Sequence, residues 1–318
     1  MLARVKMRWL LWAAASFWAG SAAAKNDLAL DVRPEHGELV IRWGGRPLLI
    51  YAFATNQFKP YVRELYTLRG ENVLLDAPPD HRHHHGLMYA VRVNGVNFWE
   101  ETDAPGVQKP VRIVAQEVIQ QPGAGPRARF TQRIHWLAPA NRAGPRAVTN
   151  DLKPLLMEER TLTLSVNESS GEVALQWDAV FEVGEQAVMV HGQNYNGLGL
   201  RPPPSFNRAA AFQNSERAPY PPPKQHASIP ARWTSMTGAV NGRPITLALM
   251  ASAANPGESR FFTMLDPFAY LAATQGLDRE PLEYNPGDRW RLSYLLVLWS
   301  DAKSPDFVQG RYAAWSAR

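Results

Sequence analysis

The stretch Met88-Tyr89-Ala90-Val91-Arg92-Val93-Asn94-Gly95-Val96-Asn97-Phe98-Trp99-Glu100-Glu101 decides the fold class. Two β-prone runs, Met88–Val93 and Val96–Glu101, flank Asn94-Gly95. Asn-Gly takes the positive φ values of a type I′ turn, whose twist matches paired antiparallel strands. The same device recurs along the chain. Glu38–Trp43 and Pro47–Phe53 flank Gly44-Gly45, with Arg46 completing a short loop. Ala231–Val240 and Arg243–Ala251 flank Asn241-Gly242, and Leu156–Val166 and Val173–Val183 flank a turn around Glu168–Gly171. Further strands are expected at Val111–Ile119, Ala128–Leu137, Gly197–Arg201, Phe261–Met264 and Arg289–Trp299. One helix is expected, at the C-terminus, with Ser304 as N-cap and Pro305 at N1. Strands joined by short turns, without helices between them, imply an all-β chain. So many strands predict a large antiparallel β-sandwich with a short C-terminal helix, not a small barrel.

Composition agrees and excludes several chemistries. The chain has 318 residues, 45% of them hydrophobic, enough to bury a large core. Pro numbers 26, about 8% against a usual ~5%, which disfavours a helix-rich fold. Cys is 0, so disulfides, cysteine–zinc sites, iron–sulfur clusters and cysteine nucleophiles are ruled out. Arg4, Lys6 and Arg8 precede an apolar run from Trp9 to Gly20 and a small-residue site at Ser21-Ala22-Ala23-Ala24. That order reads as a signal peptide over residues 1–24, and hence as a periplasmic or secreted protein. The three cations leave with the leader, so the formal charge of +5 falls to 5 − 3 = +2. No basic run remains to recruit nucleic acid, and no other stretch reaches membrane-spanning length. Residues 25–318 read as one sandwich domain, with a Pro-rich irregular excursion at 201–224.

The most unusual segment is Asp80-His81-Arg82-His83-His84-His85-Gly86, where four of the eight histidines fall in five positions. A two-residue turn at Asn94-Gly95 pairs Val93 with Val96, Val91 with Phe98 and Tyr89 with Glu100. Extending that ladder puts His83 and His85 on the Glu100 side and His84 near Glu101 and Asp103. A bulge at Gly86 would reverse the parity. Either way, imidazoles and carboxylates converge at the open end of the hairpin. Two chemistries fit. In one, two histidines and a carboxylate, with His81, His83 and His84 as the candidate imidazoles, hold a divalent metal that polarises a carbonyl or activates water. In the other, His83 or His84 works with Glu100 or Glu101 as acid and base, without a metal. Trp99 would supply an apolar platform in both. A second polar cluster, His191 to Arg201, offers Asn194 and Tyr195 as substrate contacts and Arg201 as a clamp. No Walker loop, G-x-G-x-x-G, H-E-x-x-H or G-x-S-x-G motif occurs.

Around these residues the sequence resembles a bacterial family of unknown function often labelled "methane oxygenase PmoA". The likeness rests on Pro79-Asp80-His81-Arg82-His83-His84-His85-Gly86-Leu87 and Val93-Asn94-Gly95-Val96-Asn97-Phe98-Trp99, supported by Lys59-Pro60-Tyr61, Gly197–Arg201 and Asn285-Pro286-Gly287-Asp288. The family usually has Arg where His85 stands. True membrane methane monooxygenase subunits cross the bilayer repeatedly, which this sequence does not predict. The resemblance implies a sandwich similar to galactose-mutarotase-like supersandwiches and, by genomic association, work on carbohydrate. The leading expectation is therefore an exported enzyme that hydrolyses, eliminates from or epimerises a small or oligomeric sugar. The alternatives are a non-catalytic glycan-binding protein and a metal-binding protein built on the histidine run.

Overall fold

The turns form where glycine and asparagine permit them. In the computed structural model, which describes residues 27–102, 104–121, 124–139, 153–221 and 225–317, Asn94 and Gly95 have φ values of 50° and 80°. Asn241 and Gly242 have 51° and 74°, and Gly44 and Gly45 have 54° and 78°. Each pair closes a two-residue hairpin, with Val93 opposite Val96, Val240 opposite Arg243 and Trp43 opposite Arg46. Arg46 thus opens a strand instead of completing the loop. The expected leader and Asp103 lie outside the described residues.

The hairpins assemble into antiparallel sheets of nine, eight and four strands. Leu156–Asn167 shows the logic. Its odd side chains face outward and its even ones are buried, a strict period of two along one covered sheet face. Buried residues from both large sheets share one apolar core, including Leu39, Leu49 and Leu271 from the nine-stranded sheet and Leu162, Trp177 and Leu296 from the eight-stranded one. The fold is the expected large antiparallel sandwich. The C-terminal helix Pro305–Ser316 is also present, capped by the Ser304 hydroxyl, which accepts from the Phe307 N–H at 3.3 Å. It buries Val308 against Trp233, Met250 and Trp299 on the outer face of the eight-stranded sheet.

Two further expectations need correction. The Pro-rich stretch is not wholly irregular. Pro204–Phe206 forms a 3-10 turn that buries Phe206, and Ala211–Asn214 is a strand paired with Trp233–Val240. Residues 222–224 lie outside the described set. The long hairpin around Asn94-Gly95 is also shorter than expected. Leu87–Ala90 belongs to the nine-stranded sheet and pairs with Gly197–Leu200, while Arg92–Val93 belongs to the four-stranded sheet. Tyr89 therefore faces Leu198, not Glu100. The returning strand stops at Asn97, because the Asn97 side-chain oxygen accepts from the N–H groups of Trp99 (2.9 Å) and Glu100 (3.2 Å) and turns the chain.

Candidate active site

The histidine run is a short loop pinned at both ends. Asp76 and His85 form an isolated bridge, and the Ala77 N–H donates to the His84 carbonyl at 2.9 Å. Gly86 closes the loop at φ 30°, where an added Cβ would lie 2.2 Å from the Val62 carbonyl oxygen. His85 meets Glu101, while His83 and His84, although adjacent in the chain, share a cleft with Glu100.

That cleft has a volume of about 360 Å³. Its polar groups are His81, His83, His84, Glu100, Asn194 and His226. Its apolar wall comes from Trp99, Tyr195, Phe262 and Tyr270, with Met264 and Phe268 beside them. Tyr89 packs its ring on Trp136 and Phe181 of the opposite sheet, so its strand neighbour Met88 points to the other face of its own sheet, where it is also buried. Gly199 pairs with Met88, and a Cβ on Gly199 would sit 1.7 Å from the Tyr270 hydroxyl. The cleft therefore lies on the outer face of the nine-stranded sheet, and glycine at 199 is what lets Tyr270 and Trp99 approach the strand.

His83, His84 and His85 occupy different electrostatic settings. Burial pushes His84 down to about 2, helped by His83, His81 and Arg201. Arg201 donates to His84 Nδ1 at 3.3 Å, so the neutral ring carries its proton on Nε2. Burial also lowers His83, with Lys59 and His81 acting in the same direction. His85 behaves oppositely. Burial pulls it down, but Asp76 at Nδ1 (2.8 Å) and Glu101 at Nε2 (3.0 Å) outweigh that and raise it above the usual imidazole value. A carboxylate at each nitrogen favours a proton on both, and so the imidazolium form of His85, whose ring stacks on Tyr61 at 4.3 Å. Burial would raise Glu101, yet His85 and the buried Lys59 hold it down to about 2.

The expected site residues thus fall into two groups. His81, His83, His84, Trp99, Glu100, Asn194 and Tyr195 line one cleft. Glu101 and Arg201 do not. Glu101 accepts from Lys59 at 2.6 Å and from His85, and so belongs to the scaffold beneath the loop. Arg201 is buried behind His84, donates to Asp80 at 2.9 Å and lies 3.5 Å over the Phe268 ring, outside the lining of the cleft. Trp99 lines the cleft and is only 1% exposed. Glu100 accepts from Arg92 and Tyr195, each at 3.3 Å, and from the Asn97 amide. Among the described residues, no group of three His, Asp or Glu side chains is arranged to hold a metal ion, and His81, His83 and His84 are no exception. Sequence reasoning missed His226, Phe262 and Tyr270. Phe262 and Tyr270 arrive from strands, and His226 from the residue before the strand Ala227–Pro230, all more than a hundred residues further along, and only the sheet order Leu87–Ala90, Gly197–Leu200, Tyr270–Thr274, Arg260–Met264, Ala227–Pro230 brings them in.

Fold and cleft define the class: an antiparallel sandwich with an imidazole-, carboxylate- and aromatic-lined pocket on its nine-stranded sheet. The chain belongs to the family of unknown function DUF6807, whose family model matches residues 38–313. No curated protein matches it by sequence. In three dimensions it is similar to the GH36 alpha-galactosidase AgaB from Geobacillus stearothermophilus (11% identity, 86% of this chain, 41% of that chain, TM-score 0.48). It is similar also to the alpha-galactosidase from Lactobacillus brevis (8% identity, 88% and 40%, TM-score 0.45). A third likeness is to a protein assigned as an aldose 1-epimerase from Klebsiella pneumoniae (10% identity, 90% and 86%, TM-score 0.48). The chain spans about 41% of the length of the first of these.

Proposed function

We propose that this protein is a carbohydrate-acting enzyme that moves protons on a sugar by acid–base catalysis, in an elimination or an epimerisation. The observation that carries this reading is the make-up of one cleft. Lowered imidazoles at His83 and His84 stand with the Glu100 carboxylate in an aromatic-walled space of about 360 Å³. Ligand pockets run from about 300 to 1,000 Å³, so the cleft suits one or two sugar units. Neutral His83 is free to take a proton, and His84 Nε2–H is a hydrogen-bond donor to a sugar oxygen. Glu100 supplies the second proton-transfer group, oriented by Arg92, Asn97 and Tyr195. Tyr195 and Phe262 offer rings against which the C–H face of a sugar can pack. Glycoside hydrolysis by the usual route needs two carboxylates flanking the bond. Among the described residues lining this cleft, Glu100 is the one acid, which favours proton transfer over hydrolysis.

The test is a panel of mono- and disaccharides incubated with the protein in D2O and followed by proton NMR, which detects both unsaturated products and exchange at an epimerised carbon. His83→Ala and Glu100→Gln are each expected to lower turnover about 10²–10⁴-fold while sugar binding persists. Binding without turnover of any sugar would overturn the enzyme reading in favour of a glycan-binding protein, and tight metal uptake without sugar binding would favour a metal-binding one. We also read residues 1–24 as a cleaved leader. Mass spectrometry of the exported protein should find Lys25 at its N-terminus, and retention of Met1 would defeat that reading.

A further inference from the structure

The eight-stranded sheet carries a second cavity, on the opposite side of the sandwich and larger than the first, at about 570 Å³. We propose that it binds a segment of an acidic polysaccharide chain, a polyuronate, independently of the cleft chemistry.

Its floor is the outward face of the sheet beside the C-terminal helix. Arg129, Thr163, Gln176 and Leu295 stand opposite one another across adjacent strands. Arg127 pairs with Ser165, and Asp178 with Ser293, in the rows on either side. Neighbouring strands lie about 4.8 Å apart, so these rows form a continuous band of short hydroxyl and amide side chains. Short side chains at the centre give the trough its depth. Arginines make its walls, Arg127 and Arg129 on one side and Arg291 and Arg311 on the other, and Trp315 of the helix closes one end. Asp178 is the one acid among the described lining residues, against those four cations.

The arginines have partners: Arg129 with Glu117, Arg291 with Asp178 at 2.8 Å, and Arg311 with Glu172 at 2.9 Å. A guanidinium has five N–H donors, so one engaged carboxylate leaves others for a ligand anion. Arg129 and Arg291 are also about half exposed or more, at 47% and 64%, as rim groups must be. The floor decides which polyanion fits. Gln176 donates to Ser293 at 2.8 Å, and Ser293 donates to Asp178 at 2.8 Å, giving a ready lattice of donors and acceptors for sugar hydroxyls. A single-stranded nucleic acid would need a series of aromatic side chains for base stacking. Here Trp315 is the one aromatic residue among the described lining, and its indole N–H is committed to Gln176 at 2.6 Å.

The test is affinity electrophoresis of the full chain in gels containing polygalacturonate, dextran or single-stranded DNA. Retardation by polygalacturonate alone is expected, weakening as salt is added. The double variant Arg127→Gln/Arg129→Gln should bind about tenfold more weakly. These positions lie outside the cleft, so turnover of a small sugar there should not change, which separates failure of this proposal from failure of the acid–base reading. Equal retardation of variant and parent would overturn the proposal. So would a shift with DNA as large as with polygalacturonate, or no shift at all.

Discussion

Arg160→Met is expected to remove a large share of the stability of this sandwich. Arg160 and Glu158 are both fully buried, and in a strand residues i and i+2 share a face, so the two side chains lie together inside the core. Arg160 donates to both Glu158 oxygens (2.7 and 2.9 Å), to the Pro60 carbonyl (2.8 Å) and to Gln108 (3.2 Å). Removing the guanidinium strands the Glu158 carboxylate with the Trp136 indole N–H, which donates to it at 2.8 Å. Breaking a buried pair by removing one partner costs about 3–5 kcal/mol, out of a typical total near 5–15 kcal/mol. Urea unfolding should show the loss as a lower midpoint. The double variant Glu158→Gln/Arg160→Met, with no charge left to bury, should recover part of it. A single variant that unfolds at the parent's midpoint would show that the pair does not hold the core. The consequence reaches the cleft. The Pro60 carbonyl that Arg160 holds adjoins Lys59, and Lys59 donates to the Trp99 carbonyl at 3.0 Å, so the buried pair supports the segment from which Trp99 and Glu100 project.

How much of this is legible in the sequence depends on whether the cause is local. Asn94-Gly95 and Asn241-Gly242 mark their hairpins because few other dipeptides take two positive φ values in succession. The alternation of Glu158 and Glu159 shows that one must face inward, although not that Arg160 awaits it. The end of the strand after Val96 is not legible, because β-propensity runs unbroken through Phe98 and Trp99. A side-chain amide at Asn97 overrides it. Beyond that turn Glu100 goes to the cleft and Glu101 to Lys59. The histidines of the cleft are legible as a cluster, since they are adjacent in the chain. Phe262, Tyr270 and His226 carry no such mark, because their relation to His84 exists only through strand order.

His85 supports the cleft from beneath, and pH exposes its role. The groups facing it are Asp76, Glu101, Lys59 and the Tyr61 ring. Its folded value is raised, so the fold gains from its protonation. That gain is fully present below the unfolded value of about 6.5 and is lost as pH rises through the folded value. Glu101 is depressed to about 2 and stays ionised throughout this window. His83 and His84 are lowered, so their contributions run the other way and fall as pH drops below about 6.5. Comparing parent with His85→Gln isolates the one residue. The variant should be less stable by about 3 kcal/mol near pH 5, since it loses two hydrogen bonds between charged groups. The gap should narrow steadily as pH rises and the parent's imidazolium loses its proton. His85→Arg puts a permanent cation between the same carboxylates, and a guanidinium stacks on an aromatic ring as readily as an imidazolium does. It should keep the acid-side stability and retain it on the alkaline side, where the parent's contribution fades. Urea titrations of all three proteins across that pH range decide the matter. A gap between parent and His85→Gln that does not change with pH would mean that His85 fills space without carrying charge. The loop bearing His81, His83 and His84 would then be held by Gly86, Arg201, the Asp76–His85 bridge and the Ala77–His84 backbone hydrogen bond, with no help from charge at His85.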